Sequence, residues 1–243
     1  MLKHIRAALP RRDLYYVADS GHVPYGDKTQ DYIRERSVAL TQFLVHEGAA
    51  AVVIACNTAT AAAAATLRER FTLPIVAMEP AVKPAVAATR SGVVGVLATV
   101  GTLESARFAA LLEQYAGDVE IVTQACPGLV EQVEAGELDS SATRALVERY
   151  TTPLIARGAD TLVLGCTHYP FLKPVITELV GPDVRLIDTG EAVARQVVRR
   201  LPAAMSGAEA KAPTERFWST GDLVAARRIV SQLWGRPVTV AAP

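Results

Sequence analysis

Two cysteines, Cys56 and Cys166, carry most of the chemistry this sequence offers. Each follows a short apolar run and precedes small polar residues: AVVIACNTAT spans 51–60 and TLVLGCTHYP spans 161–170. A cysteine between a strand end and a helix start has its sulfur beside unpaired helix amides, where the dipole favours thiolate over the ordinary pKa of about 8.5. One such cysteine would point to a nucleophile with a histidine base. Two in matched settings point instead to one task done from opposite sides, a thiolate removing a proton from one face of a carbon while a thiol delivers one to the other. That arrangement inverts a stereocentre.

The substrate of such a pair sets a demand on its surroundings. An α-hydrogen beside an ionised carboxylate is barely acidic, so the developing charge needs backbone and side-chain donors. Asn57, Thr58 and Thr167 supply amide and hydroxyl groups directly beside the two sulfurs. His168, two positions past Cys166, can tune that thiol or relay its proton, although a histidine there can also simply start a helix. The loop ADSGHVPYG at 18–26 carries turn chemistry after a strand end, making Asp19, Tyr25 and Gly26 candidates for a ligand loop. Glu134, in VEAGELD, reads by default as a solvated carboxylate at a helix end, and Cys126, in QACPGLV, as a buried structural thiol. The sequence has neither a glycine-rich phosphate cup nor a Gly-x-Gly-x-x-Gly turn, so no cofactor is expected.

The elements that must position these residues are legible from periodicity. Strand-length apolar runs occur at 14–18, 51–55, 74–78, 93–98, 120–125, 161–165 and 184–188. Helical stretches separate them, such as 30–47, where Ile33, Ser37, Leu40 and Leu44 form one stripe. Strand alternating with helix predicts an α/β protein with mainly parallel sheets. The basic N-terminus MLKHIRAALPRR raises the question of a transit peptide, but Leu2, Ile5 and Leu9 share a helical face and predict an ordinary first helix. Residues 202–215, rich in Pro, Ala and Gly, read as a surface connection, followed by strand (RFWST), helix (222–234) and strand (PVTV).

The two cysteine segments are also an internal repeat, separated by about the length of one small domain. The simplest architecture is therefore two similar α/β domains, 1–80 with 189–243 and 81–188, with the active site in the cleft between them. The second half opens with a strand and small-residue turn, VVGVLATVGT at 93–102, that has no counterpart before the helix at Leu2. A strand is thus expected to be lacking from the first domain.

Taken in order along nearly the whole chain, ADSGHVPYG, ACNTATA, QACP with VEAG, GCTHYP and a closing STGD resemble glutamate racemase of the aspartate/glutamate racemase family. The resemblance implies two α/β domains and interconversion of L- and D-glutamate without pyridoxal phosphate, supplying D-glutamate for peptidoglycan. It implies that Cys56 acts on D-glutamate and Cys166 on L-glutamate, each serving as the acid in the opposite direction, with Asp19, Glu134 and His168 as supporting catalytic groups. Tyr25, Gly26, Asn57, Thr58, Thr167 and His168 match substrate-contacting positions, and the His after Thr167 favours glutamate over aspartate. It further implies a homodimer, although nothing in the sequence marks an interface. The family's opening strand, ending in Asp-Ser-Gly, is the element that the repeat also finds lacking.

Composition narrows the alternatives. The chain has 243 residues, half of them hydrophobic, with Lys plus Arg and Asp plus Glu at 25 each. Zero formal charge gives no global field toward nucleic acid or membranes, and no apolar run reaches the ~18 residues of a spanning helix. Three cysteines without Cys-x-x-Cys spacing argue against a disulfide framework, a zinc site and thiol redox exchange, and fit a reducing cytoplasm. Two other readings stand beside the active glutamate enzyme: a weakly active or inactive ligand-binding homologue lacking its first strand, and an aspartate racemase.

Overall fold

The structure, a computed structural model, describes residues 1–201 and 212–243. Most of the expected connection at 202–215 therefore lies outside the described residues. In chain order the elements are α1 (Leu2–Ala8), β1 (Leu14–Ala18), α2 (Gln30–His46), β2 (Val52–Val53), α3 (Asn57–Arg70), β3 (Ile75–Val76), α4 (Val82–Ala88), β4 (Val93–Ala98), α5 (Val100–Leu103) and α6 (Ala106–Tyr115). There follow β5 (Glu120–Ala125), α7 (Leu129–Ala135), α8 (Ser141–Ala156), β6 (Thr161–Leu164), α9 (Lys173–Val180), β7 (Arg185–Ile187), α10 (Gly190–Arg200), β8 (Glu215–Ser219), α11 (Leu223–Trp234) and β9 (Val240–Ala241). Every strand pairing among the described residues is parallel, as the alternating pattern requires.

The chain divides into two compact units: Met1–Ala55, Ala62–Met78 and Gly190–Pro243 form the first, and Cys56–Ala61 with Glu79–Thr189 the second. Residues 56–61 group with the second unit because their side chains bond there: Asn57 to the Gly165 carbonyl, and Thr58 to Thr99 and Thr102.

The second unit is built on one sheet in the order β5-β4-β6-β7. β4 is its central strand, registered with Ala125 and Leu164 through Ala98 and Leu97. Val94 and Val96 are fully buried there with Val82, Ala85, Phe108 and Val163. Each large apolar side chain so buried contributes roughly 1.5–3 kcal/mol, which fixes the strand ends that carry the site.

The first unit holds two sheets, β1-β8-β9 and β2-β3. Among the described residues no strand pairs with both β1 and β2, whereas β4 joins β5 to β6 in the second unit. β2 and β3 are only two residues long because just Val52↔Ile75 and Val53↔Val76 pair. The expected first helix is α1, whose Ile5 is buried among Leu14, Val76, Met78, Val193 and Val197, with Leu2 and Leu9 packed alongside. α2 starts at Thr29, whose hydroxyl accepts from the Tyr32 N–H, and buries Ile33, Ser37 and Thr41. Leu40 and Leu44 are only half-buried, because the seated stripe advances by four residues per turn. No helix of the described residues is long and apolar enough to cross a membrane.

Candidate active site

Cys56 stands at the N-terminus of α3. Its carbonyl accepts the first helical bond from Thr60 N–H, and its Sγ accepts from Ala59 N–H at 3.4 Å. The sulfur thus occupies the capping position usually held by a hydroxyl or carboxylate oxygen. The dipole argument alone anticipates a lowered thiol pKa, and the structure gives the reverse. Burial pushes Cys56 up to about 11, against bonds from the Ala59 and Thr58 N–H groups and the Thr58 hydroxyl, with further upward pressure from the charge of Cys166. Desolvation outweighs a helix terminus because the dipole is worth only ~0.3–2 kcal/mol, whereas burial alone shifts a group by as much as ~3–5 units.

The neighbours of Cys56 are neutral donors and acceptors. Thr58 Oγ1 lies 2.9 Å from Thr99 Oγ1 and 3.1 Å from Thr102 Oγ1, and those two are 3.0 Å apart. Thr99 caps α5 by accepting from the Thr102 N–H. Sequence reasoning did not single out Thr99 and Thr102; the Thr-x-x-Thr spacing after β4 is the capping signal that could have found them. Asn57 is 5% exposed and donates from Nδ2 to the Gly165 carbonyl at 2.6 Å. Its Oδ1 is buried and has no partner among the described residues. Gly165 is required where it stands: a Cβ there would lie 2.8 Å from the Leu97 carbonyl oxygen, which accepts the Gly165 N–H at 2.7 Å.

Cys166 follows Gly165 and is buried, but no α-helix starts behind it as the repeat predicts. Thr167 and His168 lead into a short 3-10 turn over Tyr169–Leu172, and α9 begins only at Lys173. Pro170 and Pro174 lie in the first turns of these two segments; lacking N–H groups, they are tolerated there and unfavourable deeper in one continuous helix. The partner of Cys166 is an imidazole. His168 Nδ1 lies 3.7 Å from Cys166 Sγ, and its Nε2 lies 2.7 Å from Glu134 Oε1 near the end of α7. Burial pulls His168 down, but its bonds to Cys166 and Glu134 and their negative charges prevail and push it up to about 10. Glu134, expected as a solvated carboxylate, instead holds the ring.

Cys126 is buried and donates its S–H to the Gln124 carbonyl at 3.2 Å, and burial pushes its pKa far up. In the first unit, Asp19, Tyr25 and Gly26 come together at the end of β1. The Tyr25 hydroxyl donates to Asp19 Oδ2, and Tyr25–Asp27 forms a 3-10 turn. All three cysteines are free thiols. The structure therefore gathers Cys56, Asn57, Thr58, Cys166, His168 and Glu134 in the second unit, and Asp19, Tyr25 and Gly26 in the first.

One strand-end thiol thus lies against a hydroxyl and helix amides and the other against an imidazole, and comparison with known proteins gives the class of the chain. The chain belongs to the Asp/Glu/hydantoin racemase family, whose model matches residues 1–197. It is 59% identical to glutamate racemase of Ectopseudomonas mendocina over 99% of this chain and 92% of that relative. It is 58% identical to glutamate racemase of Pseudomonas aeruginosa PAO1 over 99% and 91%. Among solved structures it is similar to Escherichia coli glutamate racemase in complex with L-glutamate and the activator UDP-MurNAc-ala, with TM-score 0.88 at 29% identity over 99% and 91% of the two chains. Glutamate racemase isoform RacE1 of Bacillus anthracis aligns with TM-score 0.85 at 30% identity over 100% and 91%.

Proposed function

We propose that the protein racemises glutamate by two-base proton transfer between Cys56 and Cys166, making D-glutamate for peptidoglycan in the reducing cytoplasm. The observation that carries this reading is the pairing of two strand-end thiols in one unit, with Cys166 Sγ backed by the His168 and Glu134 chain. The substrate follows from relatives 59% and 58% identical that carry the name glutamate racemase.

With its pKa near 11, Cys56 holds its proton at neutral pH. His168, raised to about 10, is an imidazolium that donates from Nε2 to Glu134 and from Nδ1 to Cys166. In the L-to-D direction Cys166, acting as the base, takes the α-hydrogen of L-glutamate as a proton, forming S–H as C–H breaks, and the electron pair passes into the adjacent carboxylate. Cys56 then gives its proton to the opposite face, leaving a thiolate capped by the Ala59 N–H. The reverse reaction begins from that state. The unpartnered Asn57 Oδ1 is an acceptor for the substrate ammonium, and Thr58, Thr99 and Thr102 are donors for its carboxylate oxygens. Tyr25, Gly26 and Thr167 complete the substrate contacts in this reading.

Either glutamate enantiomer incubated in deuterium oxide yields the other with deuterium at Cα. No exchange from either side would sink the proposal, and comparable turnover of aspartate would reassign the substrate. A second reading, a ligand-binding protein of low activity, is favoured by one observation: no described strand joins β1 to β2 in the first unit. Saturable glutamate binding in calorimetry without exchange at Cα would select it.

A further inference from the structure

One carboxylate in the loop after β1 gathers several ties to the rest of its unit, beside the contact of His22 Nδ1 with the Tyr32 hydroxyl of α2 at 2.5 Å. Asp19 is 8% exposed, and both its oxygens are fully engaged. Oδ1 accepts from Arg36 Nη2 at 2.6 Å and from Thr220 Oγ1 at 2.9 Å; Oδ2 accepts from Arg36 Nε at 3.1 Å and from the Tyr25 hydroxyl. The Arg36 contact is the two-pronged kind that fixes orientation as well as charge. Burial pushes Asp19 up, but the bonds from Arg36, Tyr25 and Thr220 prevail and hold its carboxyl below the ordinary value. Such a group stays ionised and has no lone pair left for a substrate proton.

Each partner comes from a different element of the first unit. Arg36 projects from α2, between the buried positions Ile33 and Ser37. Thr220 follows β8, the parallel neighbour of β1, and its N–H donates to the Ala18 carbonyl. Its hydroxyl oxygen also accepts the Gly21 N–H at 3.2 Å. The two strand-end loops touch so closely that a Cβ on Gly21 would stand 2.7 Å from the Thr220 carbonyl oxygen. Helix, neighbouring loop and tyrosine therefore converge on one anion, with Tyr25 as the member that belongs to the substrate turn.

We propose that Arg36 and Thr220 are positioning residues for the Tyr25–Gly26 turn, acting through Asp19, so that the turn is set for substrate before substrate arrives. The proposal rests on the reading that this turn contacts glutamate. It makes Asp19 a fixed anion that orients a binding turn, without a part in moving the α-proton.

The test compares Arg36→Met, Arg36→Lys, Thr220→Val, Tyr25→Phe and Gly26→Val in the full chain, with steady-state kinetics for both enantiomers and hydrogen exchange over residues 19–26. Loss of a charge-assisted bond to a buried carboxylate predicts a KM roughly tenfold or more higher for Arg36→Met, with kcat changed much less. Arg36→Lys, which keeps the charge but not the fork, recovers part of that KM, and Thr220→Val shows a smaller rise. Amide exchange quickens in 19–26 and not in the second unit. Combining Arg36→Met with Tyr25→Phe gives less than the product of the single effects, because both act through Asp19. A folded Arg36→Met protein with unchanged KM and unchanged exchange overturns the proposal, as does a fall in kcat alone. Gly26→Val separates the two layers: if it raises KM while Arg36→Met does not, only the positioning role fails; if it leaves KM unchanged, the reading of the turn as a substrate contact fails with it.

Discussion

Cys56 and Cys166 occupy equivalent places in the repeat and unlike chemical surroundings. Cys56 caps α3 and has the Thr58 hydroxyl beside it, itself bonded to the hydroxyls of Thr99 and Thr102, all neutral. Cys166 stands before a 3-10 turn and faces an imidazole that is itself held by a carboxylate. A repeated sequence pattern thus places a sulfur at a strand end twice, while the surroundings of each are set by whichever side chains tertiary packing brings alongside. The proposed two-base reaction needs one thiol and one thiolate at any instant, and the two cysteines have unlike partners for those two roles.

The comparison can be broken most decisively at the sulfurs. Cys56→Ala and Cys166→Ala should each remove racemisation in both directions, a loss of roughly 10²–10⁴-fold or more in an assay of optical rotation. Retention of turnover by either variant would dissolve the pairing. A step smaller, His168→Asn should lower kcat/KM by about 10–100-fold, the worth of a hydrogen bond to a charged group. Since racemisation has an equilibrium constant of one, that loss is equal from either enantiomer. The asymmetry should emerge instead in the α-deuterium isotope effect, which grows in the direction where Cys166 removes the proton.

Glu134→Gln tests the imidazole through its own titration. The His168 resonances, followed by NMR, should titrate near 10 in the parent protein and at lower pH in the variant, with activity reduced by roughly tenfold. Stability carries the same sign. Folding raises His168 from 6.5 to about 10, so its stabilisation is complete below pH 6.5, declines as pH rises through that interval, and is gone above about 10. The difference in melting temperature between parent and His168→Asn should shrink across that range, and a constant difference would refute the assignment. The smallest effect should come from Thr58→Val, which removes a hydroxyl donor from Cys56 and pushes that thiol further above 11. A severalfold loss of kcat, without the isotope asymmetry of His168→Asn, is expected.

Much of this architecture was open to reading along the chain. β1, β4 and β5 coincide with the runs LYYVA, VVGVLA and EIVTQA, but only β4, flanked by strands on both sides, is buried nearly throughout; β1 and β5 end their sheets and are mostly half-buried. The cysteines, Asn57, Thr58 and His168 were legible as candidates because strand-end chemistry is local. Other features were not. Glu134 was a candidate only through the family resemblance, and its contact with His168, 34 positions away, forms only when α7 packs beside the 3-10 turn. Arg36 sits on an ordinary amphipathic helix, and nothing in its neighbours announces a carboxylate 17 positions upstream.

The linear chain alone carries an α/β pattern of parallel sheets, two cysteines at strand ends, and the polar residues that flank each one. Those features depend on residue type and short-range periodicity, which a linear chain displays in full. Only the tertiary structure decided that Cys56 is pushed up and that His168 is pushed up with Glu134 behind it. The same holds for Asp19, fixed as an anion by Arg36 and Thr220. Protonation and orientation are set by desolvation and by partners distant in sequence, and both come into being only when the chain has packed.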